Sequence, residues 1–360
     1  MPRVIIAAGG TGGHFYPGLV LGQELKKRGC KVTFICRKDD ACRRILTANH
    51  FRFFEISFHG FPRKPSLKLF SFSYLFFRSL YSSFAIMRSF KPDVVVGMGG
   101  YISFPAAMAA YLMRIPIIIH EQNALPGVAN RALSFFASKI AVSFEASEKY
   151  FAKSKTIFTG NPVRPELFSP RSSEIYARFG LAQDKVTIFV FGGSQGAVKL
   201  NHILPQTIPL LNELRSRVQL IHVTGKREGE AERVKNEYEK LGTKATVFEY
   251  LDDIAGAYAI ADIIICRSGA MTVSELTMLH KPAILVPFPH ATGNHQEYNA
   301  QNLVNKGNAI MILEKDFSPP ILSGGLILYI SSLKKNSHGA ALPKHFPQYY
   351  LANTVLDLLK

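Results

Sequence analysis

Acidic side chains and cysteines are scarce in this 360-residue chain, and each shortage narrows what it can be. The four cysteines (Cys30, Cys36, Cys42 and Cys266) fall in no metal-ligand or redox spacing. They read as reduced cytosolic thiols, which excludes a disulfide-stapled scaffold. No Walker lysine and no zinc-type cluster is present. The acidic pair Asp252-Asp253 lacks the Asp-x-Asp spacing of metal-bridged sugar transferases, and Asp252 reads as a helix N-cap. The opening residues run straight into a strand-like segment without the pattern of a signal peptide. Long apolar runs are also missing. The 20 residues Val94 to Met113 carry no charge, about the length that crosses a bilayer, but Gly97, Gly99, Gly100 and Pro105 cut them into a strand, a turn and a helix start.

The acid deficit is uneven. Residues 1–160 hold 22 Lys and Arg against 8 Asp and Glu, a net +14, whereas residues 161–360 hold 21 against 18, a net +3. The first half is therefore expected to meet something anionic. Within it, residues 56–92 contain no acid at all. Arg63, Lys64, Lys68, Arg78, Arg88 and Lys91 alternate there with Leu69, Phe72, Phe76, Phe77, Leu80 and Phe84, mostly three or four apart. That spacing predicts an amphipathic helix with an aromatic face. A helix facing a core has the same pattern; the basic flanks favour an anionic membrane surface.

What the chain has in plenty is strand-like apolar runs alternating with helical segments: Val4–Ala8, Val32–Cys36, Val94–Gly97, Ile115–His120, Val186–Phe191, Leu220–Thr224, Ala245–Glu249, Ile263–Cys266 and Ala283–Val286. Continuous Val/Ile/Leu strands between helices imply parallel sheets covered on both faces. The length and the 47% hydrophobic content suit two α/β domains. The Pro/Gly-punctuated segment Gly160-Asn161-Pro162-Val163-Arg164-Pro165 reads as the hinge, giving domains 1–160 and 161–340. A closing helical segment, 341–360, is expected to pack back on the first domain.

Three glycine-rich turns follow apolar runs: Gly9-Gly10-Thr11-Gly12-Gly13-His14, Gly97-Met98-Gly99-Gly100-Tyr101, and Gly192-Gly193-Ser194-Gln195-Gly196-Ala197. A strand that breaks into glycines and opens a helix, here expected over Pro17 to Lys27, makes a nest of backbone N–H groups suited to phosphate or sugar. The register is wrong for a dinucleotide fingerprint, because Phe15 stands where the third glycine belongs and no acid closes the second strand. His120-Glu121-Gln122-Asn123 ends an apolar strand with four polar side chains, where open α/β sheets bind ligands. In the second half, Ser268-Gly269 leads a helix whose N-terminus suits a pyrophosphate. Glu275 lies further along that helix, placed equally well for a ribose or for plain solvent. Asn294-His295-Gln296-Glu297 is another polar cluster at a strand end.

Taken in order, these motifs resemble the MurG family of bacterial transferases that make lipid II of peptidoglycan. They are Gly-Gly-Thr-Gly-Gly-His at 9–14, Gly-Gly-Tyr at 99–101, His-Glu-Gln-Asn at 120–123 with Pro-Gly at 126–127 and Asn-Arg at 130–131. The series continues with Gly-Asn-Pro-Val-Arg at 160–164, Gly-Gly-Ser-Gln-Gly-Ala at 192–197 with Asn201, and Ser-Gly-Ala-Met-Thr-Val-Ser-Glu at 268–275. The resemblance covers about residues 1–312; residues 315–345 match nothing in it.

The resemblance implies two Rossmann-like, doubly wound parallel-sheet domains facing a cleft, the GT-B glycosyltransferase architecture. It implies an inverting transfer of GlcNAc from UDP-GlcNAc to the 4-hydroxyl of MurNAc in lipid I, at the cytoplasmic face of the bacterial membrane as a peripheral protein. By similarity the donor meets Thr11, Gly12, Gly13, Asn123, Arg164, Ser194, Leu251, the run Ala270, Met271, Thr272, Val273, Ser274 and Glu275, and Gln296. Tyr101 and Asn201 fall to the acceptor. His14 is the candidate base, since imidazole titrates near neutrality, and Glu121 is either the rival base or the group that orients it. Arg63, Lys64, Lys68, Phe76, Phe77, Arg78, Leu80, Phe84 and Arg88 are the candidate membrane contacts. The reaction so read needs no cofactor, a divalent cation entering at most as a stimulant. Other cell-wall synthesis proteins are candidate partners, and nucleic acid is not. The nearest alternative is a related transferase that glycosylates diacylglycerol, which the same loops and basic face would serve. Others are a nicotinamide-dependent oxidoreductase, against which the missing third glycine and acid argue, and a catalytically silent UDP-sugar- or nucleic-acid-binding protein.

Overall fold

The computed structural model describes residues 1–9, 12–38, 42–58, 68–193, 196–333 and 343–359, with backbone alone for residues 68–71. The chain forms two units, one of residues 1–163 with 344–360 and one of residues 164–343. The division thus falls three residues beyond the expected hinge glycine, and the terminal segment belongs with the first unit.

The first unit is built on β1 (Arg3–Ala7), β2 (Lys31–Arg37), β3 (Arg52–Ile56), β4 (Val94–Gly97), β5 (Ile117–Glu121), β6 (Lys139–Val142) and β7 (Thr156–Phe158). They lie in the order β3-β2-β1-β4-β5-β6-β7, and every pairing is parallel, with Val4 opposite both Val32 and Val94. The reversal of strand order between β1 and β4 makes their carboxyl ends the place where such sheets bind ligands. The helices are α1 (Gly12–Lys27), α2 (Cys42–Ala48), α3 (Lys68–Phe90), α4 (Ser103–Leu112) and α5 (Val128–Leu133). One face of the sheet is covered by α1 and α2, the other by α3, α4 and α5. All four cysteines are free and buried. The strands Arg52–Ile56, Lys139–Val142 and Thr156–Phe158 escape a sequence reading because they are short and carry polar residues among the apolar ones.

Pro17 lies inside α1 rather than opening it, and the helix begins five residues earlier than expected. The residue whose carbonyl the proline ring crowds is the pliant Gly13, so the helix tolerates the missing N–H. Further along, a Cβ on Gly22 would stand 2.8 Å from the Phe34 ring, so α1 lies closer to β2 than a larger residue would permit.

The second unit carries α6 (Ser173–Arg178), β8 (Val186–Phe191), α7 (Val198–Thr207), β9 (Val218–Val223), α8 (Glu230–Lys240), β10 (Ala245–Phe248), α9 (Ile254–Ile260), β11 (Ile263–Cys266), α10 (Ala270–Leu279), β12 (Ala283–Leu285), α11 (His295–Val304), β13 (Ala309–Met311) and α12 (Pro319–Ser332). Its parallel strands run β10-β9-β8-β11-β12-β13, repeating the same reversal between β8 and β11. The cap of α9 is Asp253, not Asp252: its side chain accepts from the Gly256 N–H at 2.9 Å. Within residues 315–345, where the sequence showed no matching motif, Pro319–Ser332 forms α12, which buries Leu322, Leu326 and Ile330 at four-residue spacing.

The final helix, α13 (Pro347–Asp357), returns to the first unit and buries Leu351, Ala352 and Val355 beside Leu21 and Leu25 of α1. Arg28 braces the junction, bonding Glu24 at 2.6 Å, donating to Asn353 and lying over the Tyr349 ring. Leu351→Ala should therefore destabilise the first unit by about 2–5 kcal/mol, the cost of a large-to-small change in a closed core. The check is the urea midpoint; a shift below about 1 kcal/mol would make the terminal helix an accessory to this core rather than part of it.

Candidate active site

The carboxyl ends of β1, β4 and β5 carry the polar residues of the first unit. Because α1 starts at Gly12, Gly12, Gly13 and His14 all stand in its first turn. Thr11 lies outside the described residues. The half-buried His14 ring is wrapped by the second glycine turn. A Cβ on Gly99 would come within 3.1 Å of His14 Nδ1, and one on Gly100 within 3.2 Å of its Cδ2. Both glycines have left-handed dihedrals, φ +82° and +70°, which side chains rarely adopt. Ser103 holds this turn against β1 by donating to Ala7 O (3.0 Å) and Gly99 O (2.7 Å). Tyr101, the next residue in the turn, is half exposed.

His14 Nδ1 bonds Gln122 Oε1 at 2.9 Å. Glu121 makes no hydrogen bond to His14 among the described residues. It is 1% exposed. One carboxylate oxygen accepts from Asn123 N and Asn123 Nδ2 at 2.9 and 3.2 Å, and the other from Gly127 N and Asn130 Nδ2 at 3.1 and 2.9 Å. A carboxylate with four donors has its lone pairs occupied, and here it closes the loop between β5 and α5. Asn123 is thereby turned toward Glu121. His120 is fully buried, and burial pulls its pKa down to about 4.

In the second unit, the turn after β8 is glycine-rich because backbone meets backbone there. A Cβ on Gly192 would lie 2.3 Å from Ala197 N, and one on Gly196 would lie 2.1 Å from Thr224 O. Ser194 of this turn is outside the described residues. Asn201, expected at the acceptor, is instead 1% exposed and faces the interior. Its Nδ2 donates to Thr224 O and Glu230 Oε1, both at 3.0 Å, and its Oδ1 accepts from His222 Nε2 at 3.1 Å. His222 Nδ1 in turn accepts from the Tyr238 hydroxyl at 2.9 Å, and burial lowers its pKa to about 3. Asn201 thus supports the loop against which the glycine turn packs.

At the carboxyl end of β11, Ser268 donates to Gln296 O (2.7 Å), and Asn299 Nδ2 donates to Ser268 O (3.2 Å). The Gln296 side-chain oxygen accepts from Phe288 N at 3.0 Å. Gly269 caps α10 with extended dihedrals, and Ala270, Met271 and Thr272 form its first turn. Val273 is fully buried and Ser274 bonds Ala270 O at 2.8 Å, so these two side chains serve the helix and its packing. Leu251 is half-buried just after β10.

Glu275 is 5% exposed, not a surface residue. It accepts from Arg164 Nη2 at 3.2 Å and from Tyr258 Oη at 3.0 Å. Burial raises its pKa, and the Arg164 guanidinium opposes that rise. The two residues read separately as phosphate and ribose contacts are therefore paired with each other.

The expected membrane residues divide between the two sides of α3. Phe76, Leu80 and Phe84 turn inward with Phe72 and Leu75, packing around Phe58 and Phe104. Phe77 (66% exposed), Arg78 and Arg88 face outward, joined by Tyr74 and Tyr81, whose offsets of three and four from Phe77 could have revealed them. Arg63 and Lys64 are outside the described residues, as is the Lys68 side chain. No helix among the described residues is long and apolar enough to cross a membrane. Nor do they include a group of three His, Cys, Asp or Glu that could hold a metal.

The two buried histidines make stability pH-dependent in a known direction. Folded, they are neutral down to about pH 4 (His120) and 3 (His222); unfolded, they regain an ordinary value near 6.5. The unfolded chain therefore binds the extra protons, and stability falls as pH drops below about 6.5. Between pH 7 and 5.5, above the carboxylate range, the urea midpoint should fall steadily, approaching about 1.4 kcal/mol per unit per histidine. A flat midpoint over that interval would contradict the buried neutral state of both rings.

Residues 4–142 match the glycosyltransferase family 28 N-terminal domain, and residues 187–345 the family's C-terminal domain. A Thermodesulfovibrio yellowstonii protein named UDP-N-acetylglucosamine--N-acetylmuramyl-(pentapeptide) pyrophosphoryl-undecaprenol N-acetylglucosamine transferase is 38% identical, over 99% of this chain and 97% of its own length. A protein of the same name from Halothermothrix orenii is 37% identical, over 99% and 98%. Among solved structures, Acinetobacter baumannii MurG superimposes with a TM-score of 0.75 at 28% identity, covering 99% of this chain and all of that one. A UDP-GlcNAc 2-epimerase from Neisseria meningitidis shares the fold alone, with a TM-score of 0.68 at 15% identity over 99% of this chain and all of that one. Two parallel α/β units of GT-B type, each matching its half of the family, together with near-full-length identity to named transferases, establish that this chain belongs to glycosyltransferase family 28, in its MurG branch of N-acetylglucosaminyltransferases.

Proposed function

We propose that this chain transfers N-acetylglucosamine from UDP-GlcNAc to the 4-hydroxyl of MurNAc in lipid I, with inversion, and that His14 is the base. The observation that carries the assignment to His14 is its placement. It stands in the first turn of α1 at the strand-order reversal of the first unit, anchored through Nδ1, with no hydrogen bond to Nε2 among the described residues. Glu121, with both oxygens occupied, is the weaker candidate. Nε2 takes the hydroxyl proton as the oxygen attacks the anomeric carbon, and UDP departs with the bonding pair. Thr11, Gly12, Gly13 and Asn123 are assigned to the donor sugar on this side, and Tyr101 to the acceptor.

The donor belongs to the second unit. The N–H groups at the start of α10, around Ala270, Met271 and Thr272, suit the charge that grows on the departing diphosphate. Ser194 of the glycine turn is assigned to the same phosphates, and the Leu251 backbone to the uracil. Ribose hydroxyls can share Glu275 with Tyr258, a rearrangement that releases Arg164 toward the phosphates. Gln296, whose oxygen is used by Phe288 N, keeps its amide N–H groups for sugar hydroxyls. In a transfer assay with a short-chain lipid I analogue, His14→Ala should lower kcat by about 10²–10⁴-fold with little change in donor binding. Glu275→Ala should mainly weaken UDP-GlcNAc binding. A His14→Ala enzyme with near-normal turnover would remove the base assignment.

The outward stripe of α3 supports docking on an anionic membrane at the cytoplasmic face. Tyr74, Phe77 and Tyr81 offer aromatic rings of the kind that settle at the headgroup level, and Arg78 and Arg88 offer charge, each worth about 1 kcal/mol near an anionic surface. Arg78→Glu with Arg88→Glu should release the chain from vesicles containing anionic lipid and leave UDP-GlcNAc affinity unchanged. Loss of both would indicate misfolding, and loss of neither would remove this surface from the membrane assignment.

A further inference from the structure

A hydrogen-bond chain runs behind His14, entirely within the first unit. Gln122 receives His14 at its side-chain oxygen and spends its nitrogen twice, on Met98 O at 2.7 Å and on His120 Nδ1 at 3.0 Å. His120 Nε2 reaches Gly160 O at 3.2 Å, with the Ser143 hydroxyl 3.4 Å from the same nitrogen. Both Gln122 and His120 are essentially fully buried.

The direction of every bond follows from the two ends. A peptide carbonyl accepts and never donates. Met98 O therefore requires the Gln122 nitrogen to face it; the flipped amide would set oxygen against oxygen. Gly160 O requires the hydrogen of His120 to be on Nε2, which leaves Nδ1 as a lone pair for the second N–H of Gln122. With both its N–H groups used, Gln122 can only accept from His14.

We propose that Gln122 and His120 are positioning residues that hold His14 in its Nδ1–H tautomer, the main-chain carbonyls of Met98 and Gly160 setting the polarity. This rests on His14 being the base. The basic lone pair is then fixed at Nε2, the edge with no hydrogen bond among the described residues, whereas free imidazole in water prefers its hydrogen there. The Nδ1–H bond to Gln122 is made by both imidazole and imidazolium, the charged form donating more strongly. The hydroxyl proton can therefore enter at Nε2 without any turn of the ring, and later leave from it to water. Burial keeps His120 neutral, its pKa near 4, which the chain needs, because a proton on its Nδ1 would oppose the Gln122 N–H.

Nitrogen-15 NMR of the full chain labelled at histidine, at pH 8.5, tests this directly, with the His14 resonances identified by their loss in His14→Gln. The expected spectrum has a protonated Nδ1 and a lone-pair Nε2; the reverse assignment overturns the proposal. In Gln122→Met the tautomer should shift toward Nε2–H. Its kcat should fall by about tenfold to a hundredfold, less than removal of the base costs, with KM for UDP-GlcNAc within about twofold of wild type. A Gln122→Met enzyme with wild-type kcat also overturns it, and if that variant fails to fold, the wild-type spectrum still decides. Failure of the base reading looks different: His14→Gln would then retain turnover, whichever tautomer the spectrum reports.

Discussion

Parallel strands covered on both faces leave only their ends free for function, and both units obey that constraint. The interiors of β1, β4 and β5, or of β8 and β11, are closed by helices on either side, so chemistry is confined to the turns just beyond the carboxyl end of each strand. In the first unit the available positions are filled by Gly12 to His14, Gly99 to Tyr101 and His120 to Asn123. In the second they are filled by the turn after β8 and by Ser268 to Thr272. The glycines at these edges serve approach as much as flexibility. A Cβ at Gly196 would overlap a carbonyl oxygen, and one at Gly99 would press on the His14 ring.

Crowding polar residues at such edges has a cost that the fold meets by pairing them inward. Glu121 and Asn201 sit in the most chemistry-rich motifs of the chain, yet each spends its side chain on supporting a loop. Burying a carboxylate or an amide without partners would cost a few kcal/mol. Glu121 has four donors and Asn201 three partners, so neither carries that penalty. The result is a division of labour within one motif: in His120-Glu121-Gln122-Asn123, Glu121 closes a loop while His120 and Gln122 stand behind His14.

The charge asymmetry of the sequence finds a matching surface in α3. Its inward aromatic residues fasten it to the core of the first unit, and Tyr74, Phe77 and Tyr81 are exposed on the same helix as the exposed Arg78 and Arg88. One helix thus carries a core face and, among its exposed residues, aromatic rings and arginines.

By itself the sequence determined the α/β class, two parallel-sheet domains, the glycine turns and the family, because these depend on local periodicity and on backbone shapes that only glycine permits. It also located His14 in the glycine turn that follows β1, and the basic helix. Short strands such as Ala309–Met311, the start of α1 before Pro17 and the cap at Asp253 rather than Asp252 were beyond it, since each turns on a few hydrogen bonds that neighbouring residues could equally make. Which polar residues face a ligand and which face the interior was decided only by tertiary structure. Gln122 meets His14 across 108 positions, Arg164 meets Glu275 across 111, and Asn201 meets His222 across 21. A hydrogen bond is fixed by the position and direction of both partners, and no single segment of the chain holds that information.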